Sequence, residues 1–192
     1  MSFKSNSGSS TSGSLYSKLL EKSESEIVKI LTEYLKRRVD EEVFRHILVV
    51  VDVATKIAKR LKLDDESKKL VLAGAMLHDL GRCRSHGMDH AVIGAEMLRK
   101  DGFDERIAKI VERHIGAGLT AKEAKSFGLP EKDYIPETIE EKIVALADNL
   151  VSNRKVLSKE EYLKAVKEKF SNQLDVLERH IKLLKEFEDV ID

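Results

Sequence analysis

The chain has 192 residues, enough for one domain with its own core. Its residues are 42% hydrophobic and 35% charged, and 34 Lys and Arg balance 34 Asp and Glu, so no whole-chain basic surface marks a dedicated nucleic-acid module; at most a local basic pocket remains. Cys83 is the single cysteine, which excludes an intramolecular disulfide framework and a cysteine-based zinc ribbon and fits a reducing compartment.

Residues 1–14 (MSFKSNSGSSTSGS) are mostly Ser and Gly and read as a flexible tail without the apolar stretch of a signal peptide. No apolar run approaches the roughly 20 residues needed to span a bilayer, so no membrane association is expected and a cytoplasmic location is. From Leu15 to Asp192 the sequence reads as a single helical domain. Leu19, Ile27, Ile30, Leu31 and Tyr34 form the stripe of a first helix; Val43, Ile47, Val50, Ala54, Ile57 and Leu61 form that of a long second one. Asp64 or Asp65 caps a third helix, whose apolar positions Leu70, Gly74 and Leu77 end at His78. Residues 81–87 read as a loop, a fourth helix runs from about Asp89 to Lys100 and stops at Gly102, and Asp104 caps a fifth that ends near His114. Thr120 with Glu123 makes a capping box for a short helix stopped at Gly128-Leu129-Pro130. Pro136 opens the next, with Ile139, Ile143, Leu146 and Leu150 on its stripe. Ser158 with Glu161 opens one long last helix, with a seam of Phe170, Leu174, Leu177, Ile181 and Leu184 that packs on the bundle or, as the lesser alternative, forms a homodimer interface. The expected fold is all-α, seven or eight helices around one core.

Five of the six histidines fall between residues 46 and 114. His46 shares a face with Val50, Val53 and Ile57. His78 follows Val71 and Ala75, and His114 follows Ile107, Ile110 and Val111. His90 lies near Ile93, Gly94 and Met97. Asp148 lies on the turn of Val144 and Val151, which points it inward, and an inward carboxylate needs a cation or hydrogen bonds. A lone histidine on an apolar face is most often a hydrogen-bonded core residue, and a lone inward aspartate often a cap or an ion-pair partner. Those explanations serve single residues. They serve poorly an adjacent His-Asp pair followed by Leu-Gly, with a histidine helix before it and an aspartate helix after it. Imidazoles and carboxylates converging from several helices suit a divalent metal.

The order His46, His78-Asp79 (in MLHDLGR), Asp148 (in IVALADNLVSNR) resembles the HD-domain metal-dependent phosphohydrolase superfamily, over roughly residues 40–155. HAVIGAEML from His90 and IVERH ending at His114 resemble the extra histidines of members that carry two metals. The glycine pattern around HIGAGLTAKEAKSFGLP is similar to a group of small archaeal-type HD proteins. The resemblance implies that His46, His78, Asp79 and Asp148 hold one divalent cation, that His90 and His114 hold a second, and that Asp79 bridges them. The ion could be Fe, Mn, Co, Ni, Zn or Mg. One departure is a short segment between Asp79 and His90 that contains His86, whose place leaves open whether it replaces a ligand, contacts phosphate or lines the mouth.

The reaction so implied is hydrolysis of a nucleotide or another small phosphate ester or anhydride by a metal-held hydroxide, without a covalent enzyme intermediate. Asp79 and Arg82 are the expected catalytic residues. Arg82, His86 and Arg154 are the expected phosphate contacts, since a guanidinium meets phosphate bidentately; an arginine placed as Arg154 is also found in bacterial HD hydrolases of dinucleoside polyphosphates. Arg84 and Lys155 are second choices, read more simply as solvated surface. The same ligands also serve a di-iron oxygenase, and a regulatory module that binds metal or nucleotide without turnover is the non-enzymatic alternative. His180 and Cys83 are given no function.

Overall fold

The computed structural model describes residues 15–191; the expected tail at 1–14 lies outside the described residues. A 3-10 helix, Leu15–Glu21, precedes α1 (Glu24–Lys36), α2 (Glu41–Arg60) and α3 (Asp65–Leu77). After a second 3-10 turn, Leu80–Cys83, come α4 (His90–Asp101), α5 (Glu105–Glu112), α6 (Ala121–Ser126) and α7 (Ile139–Asn149). A two-stranded antiparallel hairpin, β1 (Val151–Ser152) and β2 (Lys155–Val156), leads into α8 (Lys159–Lys169) and α9 (Leu174–Glu186). The chain is all-α, as its periodicity indicates, apart from this small ribbon. No described helix is long and apolar enough to cross a membrane.

The hub is α3. Its residues from Leu70 to Leu77 are all buried, and it packs against α1, α2, α5 and α7. A helix apolar all round has to lie at the centre of a bundle. Gly74 makes that possible on one side, since a β-carbon there would lie 2.5 Å from the Ile110 side chain on α5. Helix starts follow their caps. Asp40, Asp64 and Asp104 accept backbone N–H groups at the starts of α2, α3 and α5, and Ser23, Thr120 and Ser158 close full capping boxes.

Two readings need correction. The helix expected at Pro136 begins at Ile139, because Thr138 accepts the Glu141 N–H and so serves as the cap. The single long C-terminal helix is two: α8 ends at Lys169 with Phe170 as its cap, and Ser171 and Asn172, poor helix formers, help turn the chain toward α9. Its seam is accordingly divided, with Leu184 buried in the core and Leu174 65% exposed. His180 is buried, stacked on Phe170 and hydrogen-bonded to the Tyr162 hydroxyl at 2.6 Å, and so ties α9 to α8.

Candidate metal centre

Two helices end, and one begins, on a histidine directed at the same point. His78 follows α3, His114 follows α5 by two residues, and His90 opens α4. In each, Nδ1 lies 2.7–2.8 Å from the carbonyl oxygen three residues earlier: Ala75, Gly87 and Val111. A carbonyl only accepts, so each Nδ1 carries a proton and each ring, when neutral, presents an Nε2 lone pair inward. The fourth imidazole, His46, comes from the first turns of α2, and Asp148 comes from the end of α7.

Asp79 stands at the centre with its two oxygens facing different neighbours. Oδ2 is 3.8 Å from His46 Nε2 and 3.6 Å from His78 Nε2. Oδ1 is 3.1 Å from His90 Nε2 and 3.8 Å from His114 Nε2. Asp148 Oδ1 completes the first group, 2.9 Å from His46 Nε2 and 3.5 Å from His78 Nε2. His78, Asp79, His90 and His114 are buried, while His46 and Asp148 are each 24% exposed at the side chain. The first group opens toward solvent and the second lies behind it.

The donor set fits a cation. His90 and His114 bring their Nε2 atoms within 3.1 Å, and His46 and His78 within 3.4 Å. Lone-pair nitrogens at such separations repel unless a proton or a metal ion lies between them. Burial works against a charge on His78, yet the Asp79 and Asp148 carboxylates outweigh it and push the imidazole up to about 9. Positive charge is therefore favoured at this point. Burial and the neighbouring His78 and His90 hold His114 down at about 3, which keeps that ring neutral and able to coordinate. Burial raises the Asp79 and Asp148 carboxyls, but the histidines around them overcome it and leave both below the ordinary carboxylate range. Imidazole nitrogen with carboxylate oxygen suits a divalent ion of borderline character. Arg82 adds a further contact, its Nε donating to Asp79 Oδ1 at 2.8 Å.

The Leu80–Cys83 turn holds this arrangement through a close backbone approach. A β-carbon at Gly81 would fall 1.9 Å from the His90 carbonyl oxygen and 2.8 Å from the Gly94 nitrogen. Only glycine lets the turn carrying Asp79 lie against the start of α4.

Above the first group opens a cleft of about 540 Å³, lined by Asp40, Glu42, Val43, His46, Asp79, Arg82, His86, Asn153 and Arg154. It brings together Arg82, His86 and Arg154, the three residues expected to meet phosphate. Arg84 lines a different pocket and Lys155 pairs with Glu161 at 2.6 Å, so neither second choice joins this cleft. Asn153 and Arg154 form the two-residue turn of the β1–β2 hairpin, both with positive φ (49° and 65°), which projects them over the cleft mouth. The sequence reading missed Asn153 and the rim carboxylates. The only signal for Asn153 was its place beside Arg154, and Asp40 was legible only as a helix cap.

Comparison with known proteins agrees with this geometry. An uncharacterized protein of Methanocaldococcus jannaschii is 43% identical over 159 residues, covering 82% of this chain and 94% of that protein. A tRNA (cytidine(56)-2'-O)-methyltransferase of Picrophilus torridus is 49% identical over 134 residues, which are 70% of this chain but 37% of that longer protein. The chain thus matches well under half of that relative's length. Among solved structures, the HD domain of the L. monocytogenes phosphodiesterase PgpH in complex with cyclic-di-AMP shares the fold, with a TM-score of 0.52 at 16% identity over 81% of this chain and 93% of that one. The family model described as HD domain matches residues 43–153, a span that includes all four histidines and both aspartates of the centre. This chain belongs to the HD domain family.

Proposed function

We propose that the protein is a metal-dependent phosphohydrolase that cleaves a phosphoester or phosphoanhydride bond of a nucleotide. The observation that carries this reading is the placement of Asp79, one oxygen toward His46 and His78, the other toward His90 and His114, on the floor of a cleft rimmed by arginine. His46, His78, Asp79 and Asp148 would hold one divalent ion, and Asp79, His90 and His114 a second. When bound, such ions supply an acidified water and positive charge for a reacting phosphate. Arg82, anchored through Nε on Asp79, turns a planar guanidinium to the cleft, where it can take phosphate oxygens bidentately and offset charge as it builds on them. Arg154 lines the same space from the hairpin tip, and His86 is an exposed residue of the same cleft that would meet the phosphate. The cyclic-di-AMP bound by the PgpH domain supports a substrate drawn from nucleotides.

The test is a panel of nucleotides and phosphoesters assayed with Mn, Fe, Co, Ni, Zn or Mg, prepared without oxygen, alongside the metal content of the protein. Metal-dependent release of phosphate or mononucleotide, unaffected by O2 and abolished together with metal content in Asp79→Ala, is the expected result. Turnover that requires O2 would replace hydrolysis by oxygenation. Tight nucleotide binding with no product over hours would make the domain a regulatory module.

A further inference from the structure

Beside the metal cleft lies a second pocket of about 240 Å³, lined by Arg38, Arg84, Ile93, Glu96, Met97, Lys100 and Asp101. Two separate stretches of chain connect the two. Arg82 lines the metal cleft and Arg84 the second pocket; Asp40 lines the metal cleft and Arg38 the second pocket. Residues two apart have Cα atoms within about 7 Å of one another. The pockets are therefore neighbours across a ridge built from residues 38–40 and 82–84.

The second pocket has the chemistry to hold a phosphate. Arg38 is fixed by donating to the Tyr34 carbonyl at 3.0 Å and by lying 3.7 Å over the Tyr34 ring, and it faces Asp101 at 3.6 Å. Asp101 also accepts the Tyr34 hydroxyl at 2.7 Å, so its charge is engaged within the fold. Arg84 and Lys100 are exposed and supply charge beyond what Glu96 balances. Ile93 and Met97 give the pocket an apolar wall, which a bare phosphate does not use and a sugar or base does.

The geometry points to an outer nucleotide subsite: the pocket of Arg84 and Lys100, with Ile93 and Met97, binds the next phosphate of a substrate whose first phosphate lies at the metal centre, together with its nucleoside. The substrate class that fills both is a short oligonucleotide. This rests on the phosphohydrolase reading above, yet it concerns binding and is tested separately from turnover.

Binding is measured by competition against a fluorescein-labelled tetra-adenylate, with AMP, unlabelled oligoadenylates of two to eight residues and inorganic tripolyphosphate as competitors. Wild-type protein is expected to bind the tetranucleotide at least about tenfold more tightly than AMP, as one charge-assisted phosphate contact would give. In Arg84→Ala/Lys100→Ala that advantage disappears while the affinity for AMP stays, since neither residue lines the metal cleft. The exposed thiol of Cys83, whose Sγ lies 3.9 Å from Met97 Sδ, offers a second readout: the tetranucleotide slows its alkylation and AMP does not. Equal affinity for AMP and tetranucleotide, or an advantage that survives the double substitution, overturns the subsite. Tripolyphosphate competing as well as the tetranucleotide overturns its assignment to a nucleotide. Length-dependent binding without hydrolysis of any nucleotide would leave the subsite standing and remove the phosphohydrolase reading instead.

Discussion

Gly81→Ala adds one methyl group and tests how the metal centre is held. The new β-carbon would sit 1.9 Å from the His90 carbonyl oxygen and 2.8 Å from the Gly94 nitrogen, both backbone atoms that no rotamer change removes. Carbon and oxygen in comfortable contact are about 3.3 Å apart, so the Leu80–Cys83 turn and α4 must separate by more than about 1 Å. That movement acts on the 3.1 Å approach of His90 Nε2 to Asp79 Oδ1, because the two residues ride on the parts being separated. Overpacking of this kind costs about 1–3 kcal/mol. For a chain of this size each kcal/mol lowers Tm by about 2–4 °C, so a fall of about 2–12 °C is expected. Calorimetry reads the Tm, and elemental analysis after manganese loading and desalting reads the metal. The variant should keep the ion at His46, His78 and Asp148 and lose most of the ion at His90 and His114. Gly94→Ala, whose β-carbon would meet the Gly81 nitrogen and a Val111 methyl at 3.1 Å, should show the same effect in weaker form. A Gly81→Ala protein with wild-type Tm and wild-type metal content would refute the reasoning.

Arg82→Ala should lower kcat/KM on phosphate substrates by roughly 10–100-fold, the worth of a charge-assisted hydrogen bond, with metal content unchanged; loss of metal and fold together would make Arg82 structural. The double variant His90→Ala/His114→Ala should retain about one ion per chain and lose most activity, and wild-type protein that never binds more than one ion under anaerobic saturation would rule out the second position. Arg154→Gly should leave stability unchanged or raise it by up to about 1 kcal/mol, since glycine adopts a φ of 65° without strain, while kcat/KM falls; marked destabilisation in urea would contradict this. His180 is held down at about 4, chiefly by burial and then by Lys169 and Arg179, whereas the unfolded chain protonates it near its ordinary value of 6.5. Its contribution is therefore present above pH 6.5 and lost as pH falls toward 4, at a slope of at most about 1.4 kcal/mol per pH unit. His180→Phe should flatten that part of a Tm-against-pH curve, and an unchanged slope would show that His180 is not the group responsible.

The centre was legible because helices convert spacing into direction. His46, His78 and His114 fall on the apolar stripes of α2, α3 and α5, and burying those stripes brings the rings together. The hairpin that carries Arg154 was not legible. Strands of two residues are too short for alternation to register, and the turn residues Asn153 and Arg154 lack the glycine that usually marks a left-handed turn. The break between α8 and α9 was hidden by a seam whose apolar spacing continues through Phe170 and Leu174 although the backbone turns between them. Buried Glu112 and Glu141 went unread for a different reason: their partners are distant in sequence. Glu112 accepts from Arg99 at 2.9 Å and Lys132 at 3.0 Å, and Glu141 from Arg113 at 3.0 Å. Each sits at a helical offset from apolar neighbours, which was the available signal.

Asp79 faces two nitrogen pairs, one from each oxygen, and one negative charge shared between them couples the pairs. Ions seated on either side would draw on the same carboxylate, so the affinity measured for one would depend on whether the other is in place. Linkage requires that dependence to be the same in both orders of addition. A titration with metal would then trace a coupled curve, steeper or shallower than two independent sites allow, and its departure from independence would measure the coupling that this one side chain carries.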